Sequence, residues 1–196
     1  FYQKKDPKKK VIVGSSESMS KSKRNTINPQ EIIEKYGADA VRIFILSDSP
    51  PEKDVQWSEQ GMIASFKFLQ KFWILHKEII NKNSENDKQE KIKFDDELEK
   101  FTNQLINKIN LGLENFSYNV IIANLHETYN FLKKRVTSVP SSDNLLNNYS
   151  KIIKLMLPIT PHFASECLSD LNYNKVISWP EVNKEYLQEI EFNIVV

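Results

Sequence analysis

The stretch whose reading decides the fold is Asp95-Asp96-Glu97-Leu98-Glu99-Lys100-Phe101-Thr102-Asn103-Gln104-Leu105-Ile106-Asn107-Lys108-Ile109-Asn110-Leu111-Gly112-Leu113-Glu114-Asn115-Phe116. Leu98, Phe101, Leu105, Ile109, Leu113 and Phe116 recur at three- and four-residue steps, which puts them on one side of a helix. A helix with one apolar stripe must bury it against a neighbour. The neighbours carry the same pattern. Upstream, Ser58 to about Ile80 repeats Met62, Phe66, Leu69, Phe72, Trp73, Leu75, Ile79 and Ile80; downstream, about Asn119 to Val136 repeats Ile122, Leu125, Tyr129, Leu132 and Val136. A further helix runs from Leu145 to Leu157 and stops at Pro158, and Pro161 begins a shorter one with Phe163, Ala164, Cys167 and Leu168. Residues 81–91 contain no apolar residue and residues 137–144 are rich in Ser, Pro and Asp, so both read as polar connections. The expected fold is mainly α, an antiparallel helical bundle.

The N-terminal part differs. Val11-Ile12-Val13 reads as a short strand ending at Gly14, with Phe1-Tyr2 as its hairpin partner. Asn28-Pro29-Gln30-Glu31 is a helix start, with Asn28 as cap, Pro29 in the first turn and Glu31 where a capping box closes. That helix should stop at Gly37 in a left-handed cap, and Ala38 to Leu46 should form a second. Between strand and helix lies Ser18-Met19-Ser20-Lys21-Ser22-Lys23-Arg24-Asn25, a loop of hydroxyls and cations suited to a phosphate-bearing ligand. A P-loop is excluded because Ser15 and Ser20 stand where backbone must wrap phosphate as glycine.

Composition bounds the rest. The chain has 196 residues, 40% hydrophobic and 27% charged, as in a globular protein. No stretch approaches the roughly 18 apolar residues of a membrane span, so no membrane partner is expected. The single Cys167 allows no internal disulfide, which fits a cytoplasmic location. Residues 1–25 carry Lys4, Lys5, Lys8, Lys9, Lys10, Lys21, Lys23 and Arg24 against Asp6 and Glu17, a net +6 in a chain of net +1. A polyanionic partner and a solvated lysine-rich turn both explain that run. His76, His126 and His162 fit no metal-ligand spacing, and no metal site is expected. Cys167 reads as core, Trp57 and Trp73 as packing residues, and Arg42 as half of an ion pair with Asp39, a nucleic-acid phosphate contact being the alternative. Lys67, Lys71, Lys77, Lys133, Lys134 and Arg135 are the bundle cations available to a nucleic-acid backbone.

The loop resembles the Lys-Met-Ser-Lys-Ser signature of class I aminoacyl-tRNA synthetases, agreeing at four of five positions, Ser18 replacing the first lysine. Lys23-Arg24-Asn25 and Asn28-Pro29 follow it as is usual there. Glu34-Lys35-Tyr36-Gly37-Ala38-Asp39-Ala40-Val41-Arg42 is similar to the segment after the signature, and Ser47-Asp48-Ser49-Pro50-Pro51 with Asp54, Trp57 and Gly61 looks like the leucyl branch. Leu157-Pro158-Ile159-Thr160-Pro161-His162 resembles a helix junction of that branch's anticodon-binding bundle, and Trp179-Pro180-Glu181 its exit.

The resemblance implies residues 1–57 as the end of a nucleotide-binding catalytic region, 58–175 as an anticodon-binding bundle, and 176–196 as a linker and the start of a truncated domain. It implies ATP with Mg2+, leucine and tRNA(Leu) as substrates, and the loop Ser18, Met19, Ser20, Lys21 and Ser22 as the ATP contact. Lys21 takes the catalytic role, Ser20 and Ser22 are loop donors, Met19 is a packing anchor, and Lys23 or Arg24 compensates for Ser18. It also implies that the leucine pocket and the His-Ile-Gly-His signature lie outside these residues. The alternating, then apolar, Glu191 to Val196 reads as a strand cut short, so this is expected to be a fragment inactive by itself. An isoleucyl or valyl enzyme and a non-enzymatic RNA-binding helical module are the rival readings.

Overall fold

The computed structural model describes residues 2–3, 6–10, 12, 14–15, 17–48, 50, 52–85, 92–172 and 178–187. A two-stranded hairpin, β1 (Tyr2–Gln3) and β2 (Asp6–Lys10), opens the chain. Two short helices follow, α1 (Pro29–Tyr36) and α2 (Ala38–Ser47), and then five more: α3 (Glu59–Glu85), α4 (Asp96–Glu114), α5 (Tyr118–Ser138), α6 (Leu145–Met156) and α7 (Pro161–Asp170). A 3-10 turn at Lys184–Leu187 lies along α4.

The bundle runs up and down. Phe101 stacks on Phe131 at 3.9 Å and Gly112 lies against Ile121, so α4 and α5 are antiparallel. The contacts Phe68–His126, Phe72–Tyr129 and Glu78–Lys133 advance together, so α3 and α5 share one direction. Glu99 meets both Asn148 and Lys151 while Asp95 meets Asn144, which sets α6 parallel to α4. The stripes therefore close on one core containing Phe72, Leu75, Leu98, Ile109, Leu125, Leu132, Tyr149 and Ile152, each fully buried. A smaller cluster of Tyr36, Ala40, Phe44 and Met62 joins α1 and α2 to α3.

Helix starts follow their caps. Asn28 Oδ1 accepts from the Gln30 amide at 3.1 Å, and Asp95 Oδ1 accepts from the Leu98 amide at 3.0 Å. Glu31 closes its box on the Asn28 side chain, which donates to it at 2.9 Å, rather than on the cap backbone.

Several expectations are corrected. The hairpin strand is Asp6–Lys10, and Ile12 is exposed outside it; Phe1, Lys4, Lys5, Val11, Val13 and residues 188–196 lie outside the described residues. Helix α3 continues to Glu85 instead of ending near Ile80, because Lys82 donates to the carbonyls of Val136 and Val139 at the end of α5. Phe116 is 59% exposed, since its φ of 53° takes the chain out of the helix before the stripe recurs. Gly37 has φ 82° but ψ 151°, an extended glycine conformation rather than a left-handed helical one. Among the described residues no helix is long and apolar enough to cross a membrane.

Candidate functional site

The loop of Ser18 to Asn25 sits between the hairpin and α1 and is exposed almost throughout. Its shape comes from its own polar groups. The Arg24 amide donates to the Lys21 carbonyl at 3.2 Å, closing a turn, and Arg24 takes a left-handed φ of 53°. Asn25 then clasps the other side: Oδ1 accepts from the Ser20 amide at 2.9 Å, and Nδ2 donates to the Ser18 carbonyl at 3.3 Å. The Ser20 and Ser22 hydroxyl oxygens lie 3.1 Å apart, and Ser20 Oγ also accepts from the Lys23 amide at 3.3 Å.

The cations divide. Lys23 pairs with Glu17 at 3.0 Å. The side chains of Lys21 and Arg24 are exposed and form no ion pair among the described residues. Met19 lines a groove of about 270 Å³ with Ile27, Pro29, Val41, Phe44 and Trp57, yet stays 47% exposed. Trp57 packs edge-on against Phe44 at 5.2 Å. The structure thus brings Ser20 and Ser22 together and leaves Ser18 and Lys21 as solvent-facing members of the loop. Asn25, which follows the signature, has no role legible in the sequence. Its only signal there was a carboxamide, able to donate and accept, directly after the cationic turn.

Helix α2 under the groove is fastened to the far end of the bundle. Arg42 Nε and Nη2 donate to the carbonyls of Ile159 at 2.8 Å and Pro158 at 2.7 Å. Asp39 accepts from His162 Nδ1 at 2.9 Å and from the Phe163 amide at 2.7 Å. The expected Asp39–Arg42 pair is therefore absent; each takes a partner at the α6–α7 corner, where helix ends leave amides and carbonyls unpaired.

The remaining polar candidates are structural. His76 is fully buried, with Nδ1 3.0 Å from the Tyr149 hydroxyl and Nε2 3.1 Å from Asp170. Burial pushes its pKa below the ordinary imidazole value against the opposing effect of Asp170. Cys167 is buried in the core, and burial raises its thiol to about 12. Trp73 packs against Phe163. Among the described residues no group of three or more His, Cys, Asp or Glu is placed to hold a metal. Of the bundle cations, Lys77 pairs with Asp170, Lys133 with Glu78, and Arg135 with Asp95 and Glu97. Lys67, Lys71 and Lys134 are exposed without an ion pair among the described residues.

A cationic loop is thus carried beside two short helices that dock into an up-and-down bundle. Residues 7–58 match the family model of class I tRNA synthetases (I, L, M and V), and residues 95–196 match that of the anticodon-binding domain of tRNA ligase. The chain belongs to this tRNA ligase anticodon-binding domain family. The relatives it matches include leucine–tRNA ligases. That of Nitrobacter hamburgensis is 34% identical over 194 residues, 91% of this chain and 22% of the relative. That of Petrotoga mobilis is 34% identical over 198 residues, 95% of this chain and 24% of the relative. A crystal structure of the ternary complex of Agrobacterium radiobacter K84 agnB2 LeuRS, tRNA and LeuAMS matches with a TM-score of 0.74, over 87% of this chain and 23% of that one. At 21% identity that likeness speaks for the fold. This chain spans less than a quarter of the length of those relatives.

Proposed function

We propose that this chain is the part of a leucine–tRNA ligase that carries the phosphate-side loop of the active site and the tRNA-binding bundle. The supporting observation is the run Ser18 to Asn25, seated on α1 and α2, within a chain whose leucine–tRNA ligase relatives align over 91% or more of it. On this reading residues 1–57 belong to the catalytic region, 58–175 are the bundle, and 176–196 lead into a further domain. A cytoplasmic location goes with it.

In the activation step the leucine carboxylate attacks the α-phosphorus of ATP. The bond to the bridging oxygen breaks, and pyrophosphate leaves with the charge. A cation that meets the phosphates as this charge develops lowers the barrier more than it tightens substrate binding. Lys21 is that cation, with the Ser20 and Ser22 hydroxyls as donors beside it, and Met19 seating the loop in its groove. Arg24 supplies the second charge in place of the lysine missing at Ser18, since Lys23 is engaged by Glu17. Mg2+ would come bound to the triphosphate; the loop's hydroxyls and cations suit the phosphates rather than the metal, and the nearby Glu17 carboxylate is paired with Lys23. The leucyl group then passes from the adenylate to the tRNA 3′ end. Of the six bundle cations singled out, Lys67, Lys71 and Lys134 carry no ion pair among the described residues and would meet the tRNA backbone, by charge and shape rather than by base identity.

The test is aminoacylation by the complete protein with labelled leucine, isoleucine and valine on tRNA(Leu). Leucylation alone is expected. Charging with isoleucine or valine instead, or tRNA binding with no charging, would replace this reading by one of its rivals.

A further inference from the structure

Helix α2 is ten residues long and has two tasks. Val41, Phe44 and Ile45 form part of the groove under Met19 and the signature loop. Asp39 and Arg42, one turn apart, face the α6–α7 corner of the bundle. Asp39 is 6% exposed and accepts from the Phe163 amide, one of the unpaired first-turn donors of α7. Thr160, at the cap position of α7, makes no side-chain cap bond, so Asp39 caps that helix from 124 residues away. Arg42 takes the carbonyls of Pro158 and Ile159 just past the end of α6. The acid thus meets the amide end of one helix and the cation the carbonyl end of the other, which is the favourable sense for both helix dipoles.

We infer that Asp39 and Arg42 are positioning residues that fix the signature loop relative to the tRNA-holding bundle, so that the activated amino acid and the tRNA end share one frame. This rests on the function proposed above. Four hydrogen bonds from two side chains hold a short helix to a corner formed by two others. The groove that receives Met19 of the loop is lined by other side chains of the same short helix. A tilt of α2 against the corner would leave the loop's internal turn and the Asn25 clasp intact, while moving Lys21 relative to a tRNA bound on the bundle. Activation of leucine, which needs no tRNA on the bundle, would survive such a tilt better than transfer. A misplacement of about 1 Å costs on the order of 100-fold in a reaction that depends on alignment.

The experiment uses the complete ligase with Asp39→Asn, Arg42→Gln and Arg42→Lys, and measures melting temperature, tRNA-independent ATP–pyrophosphate exchange, and aminoacylation. The expected result is exchange within about twofold of the parent and kcat/KM for tRNA lowered about tenfold or more in Arg42→Gln. Arg42→Lys, which keeps the charge but loses the two-pronged geometry, should fall between. A merely structural role would lower exchange, aminoacylation and melting temperature together, in all three variants. That outcome, or unchanged aminoacylation in folded Arg42→Gln, overturns the inference. Failure of the underlying function looks different: exchange that survives Lys21→Ala removes the loop assignment whatever the ratio of the two reactions in the α2 variants.

Discussion

The signature loop and the bundle are held by opposite kinds of contact. Every hydrogen bond recorded within Ser18 to Asn25 joins residues at most seven apart, in solvent. The bundle is held by buried and part-buried contacts between different helices, such as Arg135 with Asp95, 40 residues apart, and His76 with Tyr149, 73 apart. Exposed polar contacts each contribute little net stability because water competes for them, whereas a buried side chain gives the full transfer and packing energy. On the function proposed above, the molecule separates its stability from its chemistry. Bundle substitutions should change the melting curve, and loop substitutions should change the reaction.

The strongest attempt to break the contrast is Phe72→Ala. Phe72 is fully buried among Phe68, Tyr129 and Phe163, and its loss should cost about 3–5 kcal/mol, read as a lower urea midpoint. A smaller cost belongs to Gly112→Ala. A Cβ there would stand 2.6 Å from Ile121 Cγ1, so the Ile121 side chain or the helices must shift, at about 1–3 kcal/mol. Combining it with Ile121→Ala should remove part of the clash, and the double variant should lose less than the two singles added.

The legible part of the fold was the part with period. Helices α4 to α7 follow from three- and four-residue steps and from Pro158 and Pro161, and they stand within two residues of expectation. The end of α3 was hidden because residues 81–85 hold no apolar side chain, and what fastens them is Lys82 reaching carbonyls more than fifty residues away. Arg42 was misread for the same reason: Asp39 is the local partner that sequence offers, while the actual partners are helix ends brought near by packing. In the loop, residue types point to a phosphate-bearing ligand, but the geometry that shapes it, a left-handed Arg24 followed by the Asn25 clasp, is a property of the folded backbone.

A pH titration sharpens the comparison further. Burial, the dominant influence, holds His76 below the ordinary imidazole value of about 6.5, and burial with Lys71 does the same to His126. As pH falls below about 6.5, the unfolded chain takes up protons that the folded chain refuses, so stability falls with pH in that window. Hydrogen bonds from Lys77 and His76 lower Asp170, whose contribution is lost only further down, below about pH 4. The urea midpoint should therefore drop between about pH 7.5 and 5.5, and His76→Gln should flatten the slope. An unchanged slope in that variant would assign the dependence elsewhere.

The smallest stability effect is expected in the loop. Asn25→Ala removes both clasp bonds yet should shift unfolding by less than about 0.5 kcal/mol, as for other exposed sites. A larger loss would mean that the loop supports the fold and would blur the contrast.

The most direct test of the whole account is Lys21→Ala in the complete ligase, with ATP–pyrophosphate exchange and melting temperature measured on the same preparation. The account predicts exchange reduced about 100- to 1,000-fold, the loss typical of removing a group that stabilises transition-state charge, with melting unchanged. Exchange within about twofold of the parent, a barrier change under ~0.5 kcal/mol, would contradict it.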